Sequence, residues 1–191
     1  SNLHKMKKSD GAFMSEEVQQ NIVELVRKNV DDHSSLSVSW YGGEPLLAQK
    51  IIADLTEKFM TICDEKSAKY HAGMITNGYL LNQNALDFLE KMKIHMLQVT
   101  IDGPRSTHDQ RRFLHSGKGT YDRIVSNLCQ VPEDSQFRIS IRVNIDKRNE
   151  HTVDQLLAEL KSYNLDNRRN FDVHFGHVQE HTAGCANIGS S

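Results

Sequence analysis

A repeated alternation of short strand-like runs with helical runs is the feature that most constrains this chain. From Ser15, the apolar residues Val18, Ile22, Leu25, Val26 and Val30 recur at helical spacing, with Ser15 placed as N-cap and Glu16 and Glu17 in the first turn. Leu36 to Trp40 alternates as a strand, and Tyr41-Gly-Gly-Glu-Pro45 breaks it. A helix from about Ala48 to Lys69 leads to a strand from His71 to Thr76, which Asn77-Gly78 ends. A helix from Asn82 to Met92 and a strand from Met96 to Ile101 follow. Asp102-Gly103-Pro104 closes that strand, and the polar stretch from there to Thr120 is expected to be the longest loop. The pattern resumes with a helix from Tyr121 to Cys129, a strand from Phe137 to Asn144, a helix from Val153 to Tyr163 and a strand from Phe171 to Phe175. Connections this long do not make hairpins; they cross over between parallel strands. The expected class is α/β. Gly42, Asn77, Asp102 and Asn144 stand at strand ends, which gathers polar groups at the carboxyl edge, where barrels and open α/β sheets bind ligands.

Charge and composition exclude other classes. Twenty-three basic residues balance 25 acidic ones, so the chain has no strong field to draw in nucleic acid or anionic lipid. Its apolar runs are about four residues long, as in Ala72 to Ile75, against the roughly 18 needed to span a bilayer. Cys63, Cys129 and Cys185 are an odd number without a CxxC pair, so neither a disulfide framework nor a zinc knuckle is encoded, and a reducing cytoplasm is the expected setting.

The loop residues suggest a ligand class. Gly42 and Gly43 permit close backbone approach, and Glu44 adds an anionic acceptor suited to an ammonium; the alternative is a glycine turn with Pro45 at the first position of the next helix. Thr100, Asp102, His108, Asp109, Arg111 and Arg112 follow the strand that begins at Met96. A guanidinium there could grip a carboxylate in a bidentate pair while Thr100 adds a hydroxyl. Glu44 for an amine and Arg112 for a carboxylate would make an amino-acid receptor. The alternative is a solvated charged loop with internal Asp–Arg pairs. Asn77 and Asn144 have their own alternative, tolerance of left-handed turn geometry. His174, His177 and His181 invite a metal reading, but the first two sit on or just past a strand end and share no established face. No metal site is therefore assigned, and Cys185 alone defines none.

The strings Trp40-Tyr-Gly-Gly-Glu-Pro-Leu-Leu47, Thr76-Asn-Gly-Tyr-Leu-Leu81, Gln98-Val-Thr-Ile-Asp-Gly-Pro104 with His108-Asp-Gln-Arg-Arg112, and Ile141-Arg-Val-Asn-Ile145 occur in one order. That combination, from about Gly11 to Phe175, resembles the radical S-adenosylmethionine enzymes. The likeness is to their peptide- and protein-modifying branch with a twitch-type C-terminal extension, which includes anaerobic sulfatase-maturating enzymes and ribosomal-peptide maturases. The resemblance implies an incomplete (β/α)6 partial TIM-like barrel, with strands two to six present and strand one missing. It implies that Gly42, Gly43, Glu44 and Pro45 hold the methionine ammonium of S-adenosylmethionine, that Thr100 faces the ribose and carboxylate region, and that Arg112 binds the methionine carboxylate. Asn77, Asp102 and Asn144 are expected to line the same pocket. The activity implied is generation of a 5′-deoxyadenosyl radical that modifies a peptide or protein, with an external electron donor.

One departure from the family stands out. The CxxxCxxC loop that ligates a [4Fe–4S] cluster is absent from the sequence. The expectation is therefore a piece of a longer enzyme, with residues 1–14 a remnant, 15–178 the partial barrel and 179–191 a tail leading to a missing extension. Such a piece is expected to be inactive by itself, with no catalytic residue of its own, and to self-associate through the strand edge left bare. Two other classes remain open. One is a non-catalytic α/β module that binds a peptide or nucleotide; the other is a barrel hydrolase using the histidines from His174 to His181.

Overall fold

The strands form one five-stranded parallel sheet in the order β1-β2-β3-β4-β5. The computed structural model describes residues 13–177. Along them run α1 (Glu16–Asn29), β1 (Ser35–Trp40), a short 3-10 turn (Pro45–Ala48), α2 (Gln49–Glu65), β2 (Lys69–Thr76), α3 (Gln83–Lys91) and β3 (Ile94–Thr100). There follow α4 (Arg105–Arg111), α5 (Tyr121–Gln130), β4 (Arg138–Ile145), a second 3-10 turn (Glu150–Thr152), α6 (Val153–Ser162) and β5 (Phe171–His177). The α/β class and the five strands agree with the sequence, and Ser15 and Asn82 cap their helices through side-chain oxygens as their positions suggest. His181 and Cys185 lie outside the described residues.

Two expectations are corrected. The stretch from Asp102 to Thr120 is not all loop: residues 105–111 form α4. Its sequence, RSTHDQR, has no apolar period, and the helix rests instead on one buried histidine and on ion pairs. Second, β5 runs on to His177, so His174 lies inside the strand and His177 is its last residue rather than past its end. Three residues apart on a strand, they belong to opposite faces, and His174 pairs with Asp172 at 3.3 Å.

The chain divides into two compact units, residues 1–76 with 81–97 and residues 77–80 with 98–191, so that β3 passes from one to the other. In the first, Ser35, Ser37 and Ser39 are exposed while Leu36, Val38 and Trp40 turn toward α2, whose Ile52, Leu55, Phe59 and Ile62 are almost fully buried. Trp40 stacks on Phe59 with ring centroids 6.3 Å apart. β1 runs parallel to β2 with Trp40 opposite Met74. In the second unit, Ile139, Ile141 and Val143 are buried with Ile124, Leu128, Leu156 and Leu160, whereas Arg138 and Arg142 are exposed. Each buried aliphatic side chain contributes roughly 1.5–3 kcal/mol. In both units one face of the sheet is apolar and helix-covered; the other is exposed, with Arg138 and Arg142 in the second unit but with Ile75 and Met96, 41% and 60% exposed, among the serines and histidine of the first. A sheet wound on both faces would instead read as continuous apolar runs.

The apolar stripe of α1 predicts burial that the described residues do not supply. Val30, just beyond its end, is buried, but Leu25 is 61% exposed.

Candidate functional site

In the first unit the site is built where β1 ends. Glu44 caps the 3-10 turn: its Oε1 accepts the Leu46 N–H at 3.1 Å and the Thr76 hydroxyl at 2.8 Å. Thr76 is the buried last residue of β2, so the carboxylate is held by its own turn and by the end of β2. Pro45 takes the first position of the turn, where its missing N–H costs nothing. Glycine turn and ligand site are thus compatible readings of one loop. A methyl built on Gly42 or Gly43 would meet nothing within 4 Å, so the space beside this backbone is open.

In the second unit a buried ionic network joins the ends of β3 and β4. Asp102, 3% exposed, accepts the Arg112 Nε–H on Oδ2 at 2.6 Å and the Asn144 N–H on Oδ1 at 3.3 Å. Among the described residues, no partner engages the two Nη groups of Arg112. Arg111 instead places both Nη groups on Asp146, at 3.1 and 3.0 Å. That bond, with the Arg148 N–H, holds the Asp146 carboxyl down at about 2. Buried Asn149 ties the strand ends together. Its Nδ2 donates to the carbonyls of Asp102 and Asn144, both at 2.8 Å, and its Oδ1 accepts the Asp146 N–H at 2.7 Å.

Behind Arg112 lies His108, with no exposed surface. Burial is the main cause that lowers its pKa to about 4, so the ring is neutral near pH 7. Asp109, next to it, accepts the N–H groups of Thr120 and Tyr121 at 2.8 and 2.9 Å and so caps α5.

Of the residues proposed from sequence, Gly42, Gly43, Glu44 and Pro45 form one local cluster and Asp102, Arg112 and Asn144 another. Thr100, 8% exposed, ends β3 beside the second. Asn77 is not left-handed, nor is Asn144, which lies within β4. Asn77 turns the chain by accepting the Tyr79 N–H at 2.8 Å, and Gly78 supplies the positive φ of 77°. Any side chain at Gly78 would strike Val99 at 2.7 Å. The Asp–Arg pairs weighed as a bland alternative do exist, but their carboxylates are buried rather than solvated. Sequence reasoning missed Thr76, Thr120, Asp146 and Asn149. For Thr76, Asp146 and Asn149 the available signal was their position at or just after a strand end; Thr120, immediately before α5, carried no such signal. Among the described residues no group of three or more His, Cys, Asp or Glu side chains could hold a metal ion, and no helix is long and apolar enough to cross a membrane.

The family model described as the Radical SAM superfamily matches residues 9–160. Cysteine-type anaerobic sulfatase-maturating enzymes from two strains of Clostridium perfringens are 27% identical over 112 residues and 28% over 115. These alignments cover 59% of this chain but only 30% of each relative. Among solved structures, native anSMEcpe with bound AdoMet and a Kp18Cys peptide matches with a TM-score of 0.68 at 20% identity, covering 87% of this chain and 44% of that one. The same protein with bound AdoMet alone matches with a TM-score of 0.67 over 87% and 43%. At that identity the likeness establishes the fold.

Proposed function

Since the chain belongs to the radical SAM superfamily, we propose that it is the S-adenosylmethionine-binding part of a peptide- or protein-modifying enzyme. The observation that carries this reading is the state of Arg112. One nitrogen is fixed by a buried carboxylate and the other two are uncommitted among the described residues, an arrangement suited to gripping a ligand carboxylate with two parallel bonds. The open backbone at Gly42 and Gly43, with Glu44 held beside it, suits the methionine ammonium.

When bound, S-adenosylmethionine supplies a sulfonium whose reductive cleavage gives a 5′-deoxyadenosyl radical able to take hydrogen from a peptide. The residues of this chain bind and orient. By the family resemblance Glu44, in the first unit, is assigned the ammonium; in the second unit Arg112 is assigned the carboxylate, and Thr100, Asn77 and Asn144 are assigned lining roles. Asp102 is a positioning residue, because both its oxygens are already occupied within the protein. The [4Fe–4S] cluster expected of the family needs the CxxxCxxC thiolates. Cys63, Cys129 and Cys185, 66 and 56 residues apart, do not provide them. The 191 residues by themselves are therefore assigned binding and no radical chemistry; the cluster and an electron donor would come from elsewhere. The substrate class rests on the relatives, one of which was solved with a peptide, and buried, unpaired Cys63 suits a reducing cytoplasm.

Equilibrium dialysis of radiolabelled S-adenosylmethionine against this chain and its Arg112→Ala variant tests the reading. Binding that weakens by tenfold or more in the variant supports it. Equal affinity removes Arg112 from the site, and absence of binding to either protein favours the module that takes a peptide or nucleotide instead.

A further inference from the structure

Every polar atom of the buried His108 ring leads to Arg112 or to its partner. The Asp102 N–H donates to Nδ1 at 3.2 Å, and an amide can only donate, so Nδ1 carries no proton. The proton is then on Nε2, which lies 3.1 Å from the Thr120 hydroxyl oxygen. That hydroxyl spends its own proton on the Arg112 carbonyl at 2.9 Å. The chain of bonds has one consistent direction, from Asp102 N–H through the imidazole and Thr120 to the Arg112 carbonyl. Arg112 also donates its own N–H to the His108 carbonyl at 2.7 Å. The Tyr121 ring packs edge-on against the imidazole, centroids 5.7 Å apart, which fixes the ring plane.

We infer that His108, acting through Thr120, is a positioning residue for ligand recognition. It clamps the backbone of Arg112 and the residue that holds the Arg112 guanidinium, so the uncommitted Nη pair is presented in one place to a ligand carboxylate. A histidine satisfied only for the sake of the core could end its bonds on any neighbours. This one ends both on the carboxylate-binding pair. The inference rests on the assignment of Arg112 to the ligand carboxylate, and it extends that assignment to two residues that touch no ligand.

The test compares S-adenosylmethionine with its decarboxylated analogue, which keeps the sulfonium, adenosine and amine. Thr120→Val removes the hydroxyl at nearly constant shape, and Thr120→Ser restores it. His108→Asn, which keeps an acceptor toward Asp102 and loses the donor toward Thr120, is the second variant. Thermal unfolding of each variant accompanies the binding curves. Thr120→Val and His108→Asn are expected to weaken S-adenosylmethionine binding about tenfold, the equivalent of about 1.4 kcal/mol, while decarboxylated S-adenosylmethionine binds as before and Thr120→Ser behaves as wild type. Equal losses for both ligands, tracking a lower melting temperature, would mean a merely structural role and overturn the inference. Arg112→Ala separates the two levels. If it fails to discriminate the ligands, the carboxylate assignment itself is wrong; if it discriminates and Thr120→Val does not, only the clamp is wrong.

Discussion

Arg112 meets Asp102 through a single nitrogen, Nε, at 2.6 Å. Its neighbour Arg111 gives both Nη groups to Asp146. Two adjacent arginines with the same charge and reach are thus put to different uses: one closes an internal pair, and the other, among the described residues, is left with donors to spare.

The Asp102 pair sets the first prediction. Asp102→Ala leaves a half-exposed guanidinium without its anchor and the Asn144 N–H without its acceptor. Removing one partner of a buried pair costs about 3 kcal/mol, and partial exposure of Arg112 places the loss at or below that figure. Urea unfolding of the variant should show it, together with weaker S-adenosylmethionine binding. An unchanged unfolding midpoint would show that the pair contributes nothing to stability.

Acid should destabilise the protein in two separable windows. His108 has a folded pKa of about 4, below the ordinary 6.5, so the unfolded state binds more protons between those values. Its contribution is fully present above about pH 6.5, is lost as pH falls toward 4, and amounts to about 3 kcal/mol. Asp146, held at about 2 against 3.8, loses its contribution only below that range. Unfolding midpoints for wild type and His108→Asn should converge between pH 7 and pH 4.5. Parallel curves would exclude His108 as the titrating group.

Gly119 and Asp109 are predicted to be strongly coupled. A methyl on Gly119 would fall 2.7 Å or less from the Asp109 carboxylate, the side chain that holds the N–H groups of Thr120 and Tyr121. Gly119→Ala should cost about 2 kcal/mol, roughly 1 for each displaced hydrogen bond. In an Asp109→Ala background the same substitution should cost far less. A double-mutant cycle with additive effects would refute the coupling.

β1 stands at one end of the strand order, and edges of this kind invite pairing with another chain. Light scattering on a size-exclusion column is expected to show a concentration-dependent dimer for the 191 residues. A monomer at every concentration would count against pairing at this edge.

How much was legible in the sequence depended on how local the signal was. Ser15 and Asn82 were readable as caps because a cap is a short-range hydrogen bond that a side-chain oxygen accepts from the backbone N–H three residues on. The strands were readable because alternation is a local property of an extended chain with one buried face. The helix at 105–111 was not, since its stability comes from His108 and Arg111 bonding to residues 6 to 35 positions away. Nothing in RSTHDQR announces those partners.

The sequence by itself determined the α/β class, the positions of the five strands and the order of the Gly-Gly-Glu-Pro and His-Asp-Gln-Arg-Arg strings, all written in residues close together along the chain. Only the tertiary structure decided which arginine is spent and which is spare, and that Asn149 stitches Asp102 to Asn144 across 47 and 5 residues of sequence. It also decided that His108 carries its proton on Nε2. These are properties of buried polar groups, whose cost in isolation forces each to find a partner. Which partner each one finds is settled by proximity in space, and sequence spacing does not encode it.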